Sequence, residues 1–291
     1  MIHYLWYIVK QFERYRYRIR WNMKSEISVV FNADRRSAAE LNKAVREVKT
    51  PYVLMVCGAE EPDENTQEVL LEALQDPSVA AAVGKVRGHG KDRVMKALLK
   101  ADFSDEPCVK DIHTMYLEGK ANVLLNRNCC TLYRMSAFET YGMFFHDAFR
   151  TEVLVWTARA LYGGARIAYV PEAAVDVTNK TGIGREFRRY FLLGVSEKYN
   201  IQYFGYNIPM AGCRIPEDAG PAVWPDTADY IESRTRIAKS ILKSKGKPLA
   251  VLRLLLIKTA MKAGNTLGRK YLYLPESLPE HYLKLERKNE N

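Results

Sequence analysis

The sequence predicts an α/β fold, a mostly parallel sheet flanked by helices with a basic helical C-terminal extension, and three observations predict it. Short β-branched runs alternate with segments of helical apolar spacing. One run, residues 52–56, is continuously apolar, as in a strand covered on both faces. From Gly184 onward the periods are helical, apart from a Pro- and Gly-rich loop between Pro209 and Pro225.

Each element follows in order. Residues 14–21, Arg-Tyr-Arg-Tyr-Arg-Ile-Arg-Trp, alternate strictly, which sets arginines and aromatics on opposite faces of a strand. Residues 27–31 form a second β-branched run, and residues 37–48 carry helical spacing through Ala38, Leu41, Val45 and Val48. Pro51 stops that helix before the strand at 52–56, giving β-α-β order. An acidic turn, Gly58 to Glu64, leads to a helix at 66–74 and a strand at 79–86. Residues 88–120 are polar and weakly patterned. Strand character returns at 122–133, a helix follows Ser136, and 151–162 reads as an amphipathic helix. Gly163-Gly164 then turns the chain into a strand at 166–170, closed by Pro171.

With 291 residues and 47% hydrophobic composition, the chain has the makings of one large domain with an extension, or of two modest domains. Its five cysteines, Cys57, Cys108, Cys129, Cys130 and Cys213, lack the paired two-residue spacing of zinc or redox motifs and read as reduced and structural. No apolar run reaches the roughly 18 to 20 residues of a spanning helix, so a cytoplasmic protein is expected. The net charge of +10 is concentrated: residues 234–270 hold eleven Lys or Arg and no Asp or Glu. A second basic segment, Lys10 to Lys24, is interleaved with aromatics including Tyr15, Tyr17 and Trp21.

Three ordered segments carry a resemblance. The first is Leu41-Asn42-Lys43-Ala44-Val45 leading through Thr50-Pro51-Tyr52 to Val53-Leu54-Met55-Val56. The second runs from Thr131-Leu132-Tyr133-Arg134 through Phe138, Gly142, Glu152 and Arg159 to Gly164-Ala165-Arg166-Ile167-Ala168-Tyr169-Val170-Pro171-Glu172-Ala173. The third is the basic segment Arg185 to Val195, and the ending Leu267 to Pro275 adds to it. Together they resemble family 2 glycosyltransferases of the rhamnosyltransferase kind. The resemblance implies a GT-A-like, Rossmann-like domain at 26–208, preceded by a basic aromatic arm at 1–25. A loop or linker at 209–233 and a basic, membrane-associating helical tail at 234–291 complete the expected organisation.

The resemblance also implies a site, and the chain departs from it. Transfer from a nucleotide-sugar leaves a diphosphate whose charge is usually met by Mg²⁺ or Mn²⁺ on an Asp-x-Asp turn. Here that turn reads Cys57-Gly58-Ala59, so no metal ligand set is expected, and Glu60 is the one metal candidate. The family's base is the Asp of a Glu-Asp pair; here Glu152 is followed by Val153, leaving Glu152 as the expected catalytic carboxylate and Asp147 as its substitute. The implied donor-binding residues are Asn42, Glu60, Glu61, Arg185, Arg188 and Arg189. His146 and Asp176 fall where the acceptor is bound, with Asp176 near the place of a family His. Only 36 residues precede Ser37, short for the family's nucleotide pocket.

Other chemistries find less support. His89 sits between two glycines, as in a solvated loop, and Cys129-Cys130 on a strand would point to opposite faces. No phosphate-binding loop and no nucleophile elbow is present in the sequence. The basic tail is too apolar for a nucleic-acid arm, and its helical stretch at 249–261 suits an anionic membrane surface. Two functional expectations stand side by side. One is an inverting transferase passing a sugar, rhamnose by resemblance, from a nucleotide-sugar donor to a lipid-linked glycan on the inner face of the cytoplasmic membrane. The other is a catalytically silent partner of an active transferase subunit, or a glycan-binding protein.

Overall fold

Strands β1 (Ile19–Trp21), β2 (Ile27–Phe31), β3 (Tyr52–Val56), β4 (Val79–Gly88), β5 (Cys108–Lys110), β6 (Cys130–Arg134) and β7 (Arg166–Val177) form one sheet in a computed structural model of the chain. The described residues are 19–21, 26–31, 38–56, 62, 64–114, 123, 129–145, 151–177, 181–210 and 222–274. The chain divides into two units, the first made of Met1–His89, Phe103–Thr178 and Ile208–Val223, the second of Gly90–Asp102, Asn179–Asn207 and Trp224–Asn291.

The sheet belongs to the first unit and runs β1-β2-β3-β6-β4-β7-β5. The α/β class is as expected, but the sheet is mixed rather than mostly parallel. β2–β3 and β4–β7 pair in parallel, whereas β6 runs against both β3 and β4, and β1 and β5 close the edges antiparallel. Apolar periodicity marks a strand but not its direction, so β6 could not be oriented from sequence. β2, β3, β4 and β7 still point the same way, and their carboxyl ends share one edge. β3 is covered on both faces: Val53, Leu54, Met55 and Val56 are all buried.

Helices α1 (Ala38–Glu47), α2 (Glu64–Ala73), α4 (Met135–Tyr141) and α5 (Glu152–Tyr162) pack in this unit. The expected spacing of α1 is realised, with Ala38, Leu41, Ala44 and Val45 facing the core. Beneath it Tyr133 meets Trp156 edge-on at 4.8 Å, with Phe138 and Phe144 completing an aromatic cluster. Truncating Trp156 to alanine would remove about 3–5 kcal/mol of such packing. α5 is not amphipathic as expected, because ten of its eleven residues are buried and even Glu152 and Arg159 are enclosed.

β7 also departs from expectation by continuing through Pro171 to Val177. The pairing with β4 jumps from Gly84↔Val170 to Lys85↔Ala174, so residues 171–173 bulge out of the ladder. Pro171 has no N–H to lose there. Gly84 lies under the bulge, where any Cβ would overlap the Ala173 carbonyl oxygen. The strand expected at 122–133 is confined to β6 where described, since Val123 has helical backbone.

The second unit is helical: α3 (Arg93–Asp102), α6 (Ile183–Phe204), α7 (Thr227–Ser244) and α8 (Pro248–Arg269), followed by a 3-10 turn at Tyr271–Tyr273. α3 lies in the stretch that reads as weakly patterned. Its start is fixed by Asp92, whose Oδ1 accepts the N–H groups of Val94 and Met95 at 3.1 Å each. α7 begins at Thr227 with Asp226 as its cap, accepting from the Ala228 N–H at 2.8 Å. α6 and α8 meet through Gly194, Gly264 and Gly268, each lying against the other helix's backbone. Arg234 is enclosed and bound to Asp102 at 2.7 Å, and Tyr230 donates to the same carboxylate at 2.7 Å.

Candidate functional site

The carboxyl edge of the sheet is where an open α/β sheet presents a ligand, because loops there leave the ends of several parallel strands at once. Three described groups of the first unit stand toward that edge. α1 leads from it into the start of β3, and α5 leads back to the start of β7, where the Arg166 N–H reaches the Ser78 carbonyl at 2.8 Å. The first residue of α5, Glu152, therefore stands at the opposite, carboxyl end.

Asn42 lies on the buried face of α1. Its Nδ2 donates to the Phe144 carbonyl at 2.7 Å and its Oδ1 accepts the Phe144 N–H at 2.9 Å. The amide thus clamps the backbone just before residues 146 and 147. Glu152 is 9% exposed, and Val153 beside it packs against the apolar core. Two turns along the same helix, Arg159 donates from Nε to the Pro209 carbonyl at 2.9 Å and places its guanidinium 4.9 Å from the centroid of the Phe145 ring. Glu152 and Arg159 share one helix face at i and i+7.

Asp176 forms a two-point ion pair with Arg87, its direct neighbour across the β4–β7 ladder, at 3.1 Å for both contacts. Arg87 was not singled out in the sequence. The signal available was the polar alternation of Lys85 and Arg87 at the end of an otherwise apolar strand. Glu60, Glu61, His146 and Asp147 lie outside the described residues. So does the turn after Val56.

The second unit holds Arg185, Arg188 and Arg189 in the first turns of α6. Arg185 and Arg189 are exposed, Arg188 is half-buried, and Tyr190 and Phe191 face inward. Arg189 lies 3.8 Å from the buried Glu186 carboxylate and 5.8 Å from the Tyr190 ring centroid. The helix opens at Gly182 without a side-chain cap. Cationic side chains and the N–H groups of a first turn are chemistry suited to an anion.

Among the described residues no group of three or more His, Cys, Asp or Glu is placed to hold a metal ion. Cys129 and Cys130 are free thiols, and burial pushes Cys130 up to about 12, so it stays protonated at neutral pH.

No family model matches the chain. It is 28% identical over 139 residues to the O-antigen chain rhamnosyltransferase WbaN of Salmonella anatum, which covers 47% of this chain and 44% of that protein. It is 29% identical over 135 residues to the O-antigen chain rhamnosyltransferase RfbN of Salmonella typhimurium, covering 46% and 42%. Over these stretches the chain is similar to glycosyltransferases. The match spans less than half the length of either relative. The resemblance to rhamnosyltransferases read from the sequence is thereby borne out. Among solved structures, the chain is similar to the mannosyltransferase PcManGT of Pyrobaculum calidifontis in complex with GDP-Man and Mn²⁺, at 17% identity and TM-score 0.40 over 84% of this chain and 64% of that one. It is also similar to S. aureus TarS 1–349 in complex with UDP-GlcNAc, at 11% identity and TM-score 0.37 over 82% and 73%.

Proposed function

We propose that the chain transfers a sugar, rhamnose, from a nucleotide-sugar to a growing lipid-linked surface polysaccharide, working in the cytoplasm at the inner face of the membrane. The observation that carries the reading is Glu152, an enclosed carboxylate opening a buried helix at the carboxyl edge of the sheet, in a chain similar to two O-antigen rhamnosyltransferases.

In this reading Glu152 accepts the proton of an acceptor hydroxyl as its oxygen attacks the anomeric carbon. The bond to the diphosphate breaks on the opposite side, the configuration inverts, and the nucleoside diphosphate leaves with the bonding electrons. Asn42 positions the Phe144 backbone and the segment that carries His146 and Asp147. Asp176, held by Arg87, is assigned to acceptor hydroxyls. Arg185, Arg188 and Arg189 are assigned to a phosphate-bearing group, on the donor or on the lipid-linked acceptor, where guanidinium groups offset the diphosphate charge. Mg²⁺ or Mn²⁺ would supply the same compensation. Cys57 and Ala59 at the customary ligand positions fit a hard cation poorly, leaving Glu60 and Glu61 as the carboxylates next to them in sequence.

A second reading, a silent partner subunit or glycan-binding protein, is favoured by Val153, an apolar residue packed on the core where the family's base would stand. Incubation of the full chain with nucleotide-rhamnose donors and a lipid-linked acceptor separates the two. Transfer is expected, with one nucleoside diphosphate released per sugar added. Glycan binding with no release under any donor would decide for the silent partner.

A further inference from the structure

The sequence places eleven basic residues between Arg234 and Lys270, and the structure sorts them into two classes. Five are committed to carboxylates of their own unit. Arg234 binds Asp102 at 2.7 Å, Arg253 binds Asp92 at 3.0 Å, Lys258 binds Glu232 at 2.6 Å, Lys262 binds Glu232, and Arg269 binds Glu197 at 3.2 Å. The other six, Arg236, Lys239, Lys243, Lys245, Lys247 and Lys270, make no ion pair among the described residues. Three of these, Lys243, Lys245 and Lys247, gather where α7 ends, Gly246 turns with φ of 61°, and α8 begins.

Immediately after that turn α8 exposes leucines. Leu249 is 81% exposed, Leu252 57%, Leu255 40% and Leu256 52%. At 3.6 residues per turn all four fall within about 120° of arc, centred on Leu252. The stripe continues as Thr259, Ala263, Thr266 and Leu267, all exposed. Leu254, Ile257 and Met261 point the other way, into the core of the helical unit, and Ala260 is buried as well. The paired cations Arg253, Lys262 and Arg269 border the stripe, and no Asp or Glu lies on α8. Among the described residues no helix is long and apolar enough to cross a membrane.

We infer that the tip of the α7–α8 hairpin is a docking surface for an anionic bilayer. Lys243, Lys245 and Lys247 meet the lipid phosphates, and Leu249, Leu252, Leu255 and Leu256 enter the interface between headgroups and acyl chains. Charge complementarity selects the occupant. An exposed leucine face with unpaired lysines at one end and no carboxylate matches a surface that is negative outside and apolar beneath. A folded protein partner would instead need carboxylates facing those lysines and a rim of hydrogen bonds, and a nucleic acid gives leucines nothing to bury against. The inference deepens the membrane location in the proposed function and rests on it only for biological setting, since the surface itself needs neither donor nor acceptor.

The test is co-sedimentation of the full-length chain with vesicles of phosphatidylcholine alone or mixed with phosphatidylglycerol, without donor or acceptor. Binding is expected to the anionic vesicles and to fall in part at high salt. Lys243→Glu/Lys245→Glu/Lys247→Glu is expected to weaken it by roughly a hundredfold or more. Leu249→Ser/Leu252→Ser/Leu256→Ser should leave only weak binding that salt abolishes. Lys258→Gln/Lys262→Gln removes cations already neutralised by Glu232 and should stay within about threefold of the parent. All these side chains lie at the surface, and an unchanged melting temperature confirms folding. Equal binding by the parent and the lysine variant would overturn the inference. So would indifference to anionic vesicles combined with steeply salt-dependent DNA binding. Loss of transferase activity with vesicle binding intact would count against the proposed function alone.

Discussion

Asn42 and Phe144 exchange two hydrogen bonds across the fold, with Nδ2 donating to the carbonyl at 2.7 Å and Oδ1 accepting the N–H at 2.9 Å. A side-chain amide offers a donor and an acceptor in one plane, which an ionised carboxylate of the same size does not. Asn42→Ala would leave two enclosed backbone groups without partners and cost about 2–6 kcal/mol, at about 1–3 kcal/mol for each unsatisfied group. Asn42→Asp keeps the acceptor but sets an oxygen against the Phe144 carbonyl, so it should be at least as harmful at neutral pH. Urea unfolding of both variants checks this. A change under about 0.5 kcal/mol in either would show that the clamp is not needed.

The contact of α6 with α8 makes a sharper steric prediction. A Cβ on Gly264 would overlap the Phe187 carbonyl oxygen, and one on Gly268 would overlap that of Phe191. Both obstacles are backbone, which cannot swing aside. Gly268→Ala is therefore expected to lower the melting temperature by several degrees, through about 1–3 kcal/mol of overpacking. Gly184→Ala, where nothing lies within 4 Å of the added carbon, should show no such loss.

Much of this architecture was legible in the sequence because it rests on local period. The strands at 27–31 and 52–56 and the helices that became α1 and α5 all follow from apolar spacing. What period does not encode is direction and coverage. Nothing in Cys130–Arg134 says that β6 runs against its neighbours, and nothing within α5 says that its polar residues would be enclosed. α3 was missed because four basic residues, Lys91, Arg93, Lys96 and Lys100, mask a buried stripe of Val94, Met95, Ala97, Leu98 and Leu99. For the candidate site, the resemblance pointed to Glu152, Asn42 and Asp176 but not to Arg87. The pairing of Asp176 with Arg87 depends on the register of two strands far apart in sequence, which no local pattern contains.

Asp92 makes stability depend on pH in a defined direction. Burial disfavours its charge, but the N–H groups of Met95 and Thr181 and the Arg253 guanidinium outweigh burial and hold its carboxyl below the usual range. A group depressed in the folded state contributes stability that is fully present above its unfolded value of about 3.9 and is lost as pH falls through the folded value. Melting temperature should accordingly drop on acidification below about pH 4. Asp92→Asn should be less stable than the parent at pH 7 and less sensitive to acid. Parallel acid profiles for the two proteins would exclude the linkage.

Donor affinity should depend little on divalent metal. The sequence positions that would present carboxylates to a cation hold Cys57 and Ala59, and the proposed function gives the charge compensation to Arg185, Arg188 and Arg189 instead. Calorimetric titration with nucleoside diphosphate, with and without Mg²⁺ or Mn²⁺, is expected to differ by less than about tenfold, or about 1.4 kcal/mol. A hundredfold gain on adding metal would return Glu60 and Glu61 to the role of ligands.

Glu152 is the remaining carboxylate of the expected acid–base pair, and its neighbour Val153 cannot take a proton. If Glu152 takes the acceptor proton, Glu152→Gln should lower the transfer rate by about 10² to 10⁴ while leaving donor affinity and melting temperature near those of the parent. The isosteric amide keeps the volume and hydrogen-bonding reach of the side chain, so a folding defect would not explain the loss. A base must also be ionised to act, and the rate of the parent should therefore rise along an acidic limb that is absent in the Gln variant. Glu152→Asp retains the charge but withdraws it by one methylene, and partial recovery of rate with the limb restored would separate proton transfer from a structural role. Full turnover by Glu152→Gln would remove Glu152 from the chemistry and direct the same series of substitutions to Asp147.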